Sequence, residues 1–97
     1  YSASKGGISA FSKTLAVEYG VKGLNVNCVC PASINTPMTK NPNLPKDIDT
    51  RLLKKIMPVD GVNRSPDDIA STIAFLASDD ALHINGIDLR VDGGLLT

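Results

Sequence analysis

The sequence is short of the residues that build metal centres and disulfide frameworks: it has one histidine and two cysteines. His83 has no companion ligand at a chelating spacing. It reads as a surface or subunit-contact residue, and no metal site is expected. Cys28 and Cys30 stand two apart in a stretch with strand character, where both side chains point to one face. They read as buried free thiols in a reducing compartment rather than as a disulfide or a metal pair. Charge of one sign is lacking as well, since ten Lys plus Arg balance ten Asp plus Glu. No run of five like charges and no basic strip interleaved with aromatics occurs, which argues against electrostatic binding of nucleic acid or a membrane surface. Apolar runs are only a few residues long, too short to span a bilayer, and the start lacks the charged and apolar regions of a secretory signal. The expected setting is the cytoplasm. The chain opens without an initiator methionine, inside what reads as a structural element, so a fragment or remainder of something longer is expected.

What is present is a globular pattern, 42% hydrophobic over 97 residues, enough for one small domain at most. In "SASKGGISAFSKTLAVEY", residues 2 to 19, Ile8, Phe11 and Leu15 recur at spacings of three and four, the helical period. Gly20 is expected to end this helix in a left-handed conformation. Ala3, Gly7, Ala10, Thr14 and Val17 form a second stripe of small residues. Glycine inside a helix costs about 1 kcal/mol relative to alanine. Gly6 and Gly7 therefore imply either close approach of another helix or ligand, or a place so near the helix start that the cost is small.

"LNVNCVC", residues 24 to 30, reads as a strand with Leu24, Val26, Cys28 and Cys30 on one face and Val29 on the other. Pro31 to Pro45 is loop, and residues 47 to 57 read as a short amphipathic helix with Ile48, Leu52, Leu53 and Ile56 inward, together a candidate lid. Ser65, Pro66 and Asp68 mark a helix start, as N-cap, first-turn proline and acid at the third position. Ile69, Ile73 and Leu76 give that helix a buried stripe, and it should end near Ser78. Asn85 and Gly86 form a turn into a last strand, Ile87 to Val91, followed by a glycine pair. The strand, crossover, strand order predicts a parallel pair. Such a pair cannot bury itself, so dependence on further chain or on partners is expected.

Chemistry enters with Tyr1 and Lys5, which share one face if the first residues are helical. An ammonium beside a phenol favours the phenolate, drawing its pKa down from about 10 toward the range of a working acid or base. A frayed terminal tyrosine with a chance lysine one turn on is the competing reading.

Three blocks, "YSASKGG", "LNVNCVCPASINTPM" and "NGIDLRVDGG", together resemble in order and spacing the C-terminal part of the short-chain dehydrogenase/reductase family. The resemblance covers the whole of 1–97 and is weakest from Lys40 to Asn63. It implies an α/β architecture, the C-terminal part of a doubly wound, Rossmann-like parallel-sheet fold with two strands and three to four helices. It also implies a cofactor, NAD or NADP, bound at the carboxyl ends of the strands. Tyr1 matches the family's catalytic acid/base. Lys5 matches the lysine that bonds the nicotinamide ribose and lowers the tyrosine's pKa. Pro31, Ile34 and Thr36 match the segment that holds the nicotinamide carboxamide. The implied partners are a small-molecule alcohol or ketone substrate and further copies of the chain, as a dimer or tetramer.

Several positions depart from the pattern. Ala32 stands where the family has glycine, which puts the loop path in question. Asn25 stands where many relatives carry arginine, while Asn27 follows the pattern and should bond across the neighbouring strand or loop. Val91, Asp92, Gly93 and Gly94 read as structural and interfacial. The family's glycine-rich pyrophosphate turn and its substrate-orienting serine are not in these residues. The N-terminal dinucleotide-binding half is thus expected to be absent and the isolated piece inactive. A second reading, from another class, is a non-catalytic oligomerisation or binding module that keeps the fold.

Overall fold

Nineteen residues, Ser2–Gly20, form the first helix, α1, in the computed structural model, which describes residues 1–95. The helix ends at Gly20 as expected, but Gly20 is not the left-handed residue. Lys22 and Leu24 send their N–H groups back to the Tyr19 carbonyl, at 2.9 and 3.3 Å, and the left-handed residue of the turn is Gly23, with φ of 81°. Of the expected stripe, Leu15 is half-buried, but Ile8 and Phe11 are 52% and 62% exposed. No described element covers them.

The strand expected from Leu24 begins only at Cys28. β1 (Cys28–Pro31) pairs in parallel with β2 (Asp88–Val91), with Cys28 opposite Asp88 and Pro31 opposite Val91. Asparagine side chains do the bonding ahead of the ladder. Asn25 and Asn27 donate through Nδ2 to the carbonyls of Leu82 and Ile84, at 2.9 and 2.8 Å. Asn85 accepts from the Val26 N–H at 2.8 Å and donates to the Ala16 carbonyl at 3.2 Å, tying α1 to the same point. Ile87, expected in the second strand, lies just before it and donates to Asn27 Oδ1 at 3.2 Å. The bonding role expected of Asn27 is thus found.

Between the strands lie three α-helices and two 3-10 turns, the second at Asp79–Ala81. Thr36 caps α2 (Pro37–Lys40), a single turn within the segment expected to be loop. α3 (Thr50–Leu53) continues as a 3-10 turn, Lys54–Ile56, so the helix expected over 47–57 is shorter at both ends. Its end has a local cause: Met57 precedes Pro58, whose ring drives the preceding residue out of helical space, and Met57 is extended at φ −102°, ψ 144°. α4 (Pro66–Leu76) starts as expected, with Asp68 accepting from the Ser65 N–H at 2.8 Å and Ser65 Oγ accepting from the Asp67 N–H at 3.2 Å. Ile69 is buried and Leu76 half-buried, but Ile73, expected inward, is exposed.

The architecture is α/β, two parallel strands with helices on either side. Cys28 and Val29 point to opposite faces of β1. The Cys28 thiol donates to Ser12 Oγ of α1 at 3.2 Å, while Val29 lines a hollow with Ile73 and Leu76 of α4. Both cysteines are free thiols, half-buried rather than buried as expected. Beyond β2 the chain turns through Gly93, φ 60°, whose carbonyl accepts from Val59 N–H at 3.1 Å and so docks the segment that follows α3. No helix among the described residues is long and apolar enough to cross a membrane.

Two outcomes follow from this packing. A methyl group at Gly93 would stand 2.9 Å from Pro58 Cβ in a left-handed backbone. Gly93→Ala should therefore destabilise the fold by about 1–3 kcal/mol, read from the urea midpoint. The buried hydrophobic side chains among the described residues are only Ala16, Ile69 and Ala81. Residues 1–97 alone should unfold early and with poor cooperativity in urea; a sharp transition at high denaturant would contradict that.

Candidate active site

Tyr1 is the N-cap residue of α1, and its carbonyl accepts two bonds, from the Lys5 N–H at 3.0 Å and the Ser4 hydroxyl at 2.7 Å. These fix the first turn and set Lys5 directly above Tyr1. The Lys5 ammonium lies 5.6 Å from the centroid of the Tyr1 ring, a cation–π arrangement. Tyr1 itself is 91% exposed.

The pair opens onto a groove of about 340 Å³ whose far wall is β1, from Cys28 to Pro31. The structure therefore brings Tyr1, Lys5 and Pro31 to one place, at the carboxyl end of a parallel strand. Ile34 and Thr36 are not in that groove. They follow on the loop that leaves β1, Ile34 bridging in parallel to Arg64 and lining a second cavity of about 270 Å³ with Ile69 and Val91. Thr36 is half-buried as the cap of α2. Ala32, in place of the family's glycine, takes no positive φ and donates its N–H to Val91 at 3.3 Å, so the extra methyl meets no backbone strain. His83 is exposed, and no group of three or more His, Cys, Asp or Glu among the described residues could hold a metal ion.

One cluster was missed by reading the sequence. The Ser9 hydroxyl donates to both oxygens of Asp88, at 2.8 and 2.7 Å, and the Lys13 ammonium forms a short ion pair with the same carboxylate. Tyr1, Lys5, Ser9 and Lys13 follow one another at intervals of four, a single stripe down α1. That spacing was a usable signal. The partner on β2 was not, because it lies 75 and 79 residues away. Lys13 and Ser9 hold the Asp88 carboxyl below its usual range, and Asp88 in turn raises Lys13. Burial, with the Asp88 charge added, pushes the Cys30 thiol up.

The arrangement is a phenol and an amine stacked at a strand end, on a helix braced to the sheet by a charged cluster. A family profile described as enoyl-(acyl carrier protein) reductase matches residues 1–96. The chain belongs to the short-chain dehydrogenase/reductase family. Among its relatives in this family is 3beta-hydroxysteroid dehydrogenase 1 of Eggerthella lenta, 40% identical over 96 residues, 98% of this chain and 36% of that one. The 3-oxoacyl-(acyl-carrier-protein) reductase FabG of Chlamydia trachomatis is 43% identical over 95 residues, 98% of this chain and 37% of the reductase. A crystal structure of a short chain dehydrogenase from Bacillus anthracis superimposes with a TM-score of 0.74 at 33% identity, covering 98% of this chain and 34% of that one. The chain thus spans a little over a third of the length of the curated dehydrogenases and reductases it matches.

The charged cluster gives the fold a defined pH dependence. Asp88 titrates below its ordinary value, so its contribution is present above the usual carboxylate pKa of about 4 and is lost as pH falls through the lowered folded value. Lys13 is raised, so its contribution is complete below the usual lysine pKa of about 10.4 and is lost as pH rises through the raised folded value. Melting curves of wild type and Asp88→Asn should therefore differ most between those limits and converge beyond either. With Lys13 and Asp88 52% and 30% exposed, the difference will be small. A gap that stays constant from acid to alkaline pH would contradict the assignment.

Proposed function

We propose that these residues carry the proton-transfer part of an NAD(P)-dependent oxidoreductase that interconverts a secondary alcohol and a ketone. The observation that carries the reading is the Tyr1–Lys5 pair opening at the carboxyl end of β1, in a chain of this family. In such folds the crevice beyond the strand ends is where dinucleotides bind.

The residues present fit the nicotinamide and its ribose. Lys5 offers three N–H donors for ribose hydroxyls, and the Pro31–Thr36 segment offers backbone groups at Ile34 and a hydroxyl at Thr36 for an amide that both donates and accepts. None of the described helices opens on a glycine-rich turn, so the pyrophosphate needs residues other than these. When bound, NAD or NADP supplies or accepts the hydride. Tyr1 handles the proton: its hydroxyl donates to the carbonyl oxygen in reduction and takes the proton from the alcohol in oxidation. Lys5 keeps a positive charge beside the ring while the phenol is without its proton. The isolated residues 1–97 are inactive in this reading, which assigns the protein to the cytoplasm and treats these residues as the C-terminal part of a single domain.

Oligomerisation rests on a second observation. A Cβ built at Gly6 or Gly7 meets nothing within 4 Å, and Ala3, Gly7, Ala10, Thr14 and Val17 all lie on the exposed side of α1. No close approach among the described residues accounts for the glycines; we assign the stripe to pairing of α1 with the same helix of another subunit. The same stripe would serve a non-catalytic assembly module. Light scattering combined with a nicotinamide fluorescence titration separates the two, since assembly without cofactor binding favours the module.

In the complete chain, Tyr1→Phe should lower cofactor-dependent ketone reduction by about 10²- to 10⁴-fold while dinucleotide binding is retained. Unchanged turnover in the Phe variant would remove Tyr1 from the chemistry.

A further inference from the structure

Thr39, three residues after the cap of α2, makes more bonds than a cap requires. It accepts from the Thr36 N–H at 3.0 Å through its hydroxyl oxygen, and its own N–H donates to Thr36 Oγ1 at 3.4 Å. Its hydroxyl proton has three acceptors in reach: Thr36 Oγ1 at 3.3 Å, the Thr36 carbonyl at 3.1 Å and the closest, the Ile34 carbonyl, a short contact. Glutamate, common at this place in a capping box, would accept from Thr36 equally well. Ionised, it has no proton to give Ile34. Threonine does both, and so locks the two loop residues on either side of Asn35.

Counting protons gives those residues a polarity. A hydroxyl has one proton and two lone pairs, and a carbonyl oxygen has two lone pairs. With the Thr39 proton on Ile34, the 3.3 Å contact between the two threonine hydroxyls must take its proton from Thr36. That contact is long, so an incoming acceptor can replace it. The Ile34 carbonyl keeps one lone pair. The loop thus presents one hydroxyl donor and one carbonyl acceptor, a set that complements a primary amide.

We infer that Thr39 is a positioning residue for a primary carboxamide, acting through Ile34 and Thr36 without touching the ligand. The inference rests on the assignment of those two residues to the nicotinamide site.

The test uses the complete chain and binding alone, by fluorescence titration with reduced nicotinamide dinucleotide and with its 3-acetylpyridine counterpart, which keeps the carbonyl and lacks the amide N–H. Thr39→Val should weaken binding of the nicotinamide form by about tenfold and that of the acetyl form by clearly less, and Thr39→Ser should restore both. Thr39→Glu keeps the cap and removes the donor, so it should melt like wild type yet show the same selective loss. In the free protein, amide exchange at Thr36 should quicken in the Val variant and stay slow in the Glu variant. Equal weakening of both ligands, or wild-type binding by the Glu variant, overturns the role of Thr39 and leaves the nicotinamide site standing. A wild-type chain that binds neither dinucleotide overturns both.

Discussion

Asn25, Asn27 and Asn85 fix the point at which β1 and β2 begin to pair, and the placement of the site depends on that point. Their side chains bond the carbonyls of Leu82, Ile84 and Ala16 and the N–H groups of Val26 and Ile87. Backbone polar groups that precede a ladder would otherwise lack partners. With the start fixed, the register follows, and a slip of one residue would turn Cys28 away from Ser12 and Asp88 away from α1. The Asp88 cluster then aligns α1 along the sheet, and its first turn, with Tyr1 and Lys5, comes to the carboxyl end of β1.

The site that results has two parts of different construction. The part assigned to proton transfer is a helix turn, where spacing of four residues is enough to put Lys5 over Tyr1. The part assigned to amide recognition is a loop, where backbone direction has to be imposed by side-chain bonds, and the Thr36–Thr39 exchange imposes it. Gly93 adds the third constraint by docking the segment after α3 through Val59, next to the cavity that Ile34 lines.

Local chemistry was legible in the sequence wherever cause and effect lay within a few residues. The Ser65 cap with Asp68 was read correctly because a capping box is written in four consecutive positions. The period of α1 and its end at Gly20 were likewise evident, although the left-handed conformation falls to Gly23 in the turn that follows. The start of β1 was misread because Leu24 and Val26 have strand character while the asparagines beside them bond across to the 82–87 turn in place of a ladder. The third helix was drawn too long through Met57 because the proline that follows it directly was not weighed. Exposure of Ile8, Phe11 and Ile73 could not be read from periodicity, which marks an apolar stripe without saying what covers it. Asp88 was invisible for the same reason: its partners are close only after folding.

A helix-borne phenol and ammonium are held at a strand end by asparagine clamps and a charged brace, and the function proposed for them is to move one proton beside a nicotinamide. A crystal structure of the complete chain with an oxidised nicotinamide dinucleotide tests this most directly. The account predicts Lys5 Nζ within hydrogen-bond distance of a hydroxyl of the nicotinamide ribose, Tyr1 Oη facing the nicotinamide ring, and the carboxamide against Ile34 and Thr36. A dinucleotide bound away from the carboxyl end of β1, with Lys5 clear of the ribose, would contradict it.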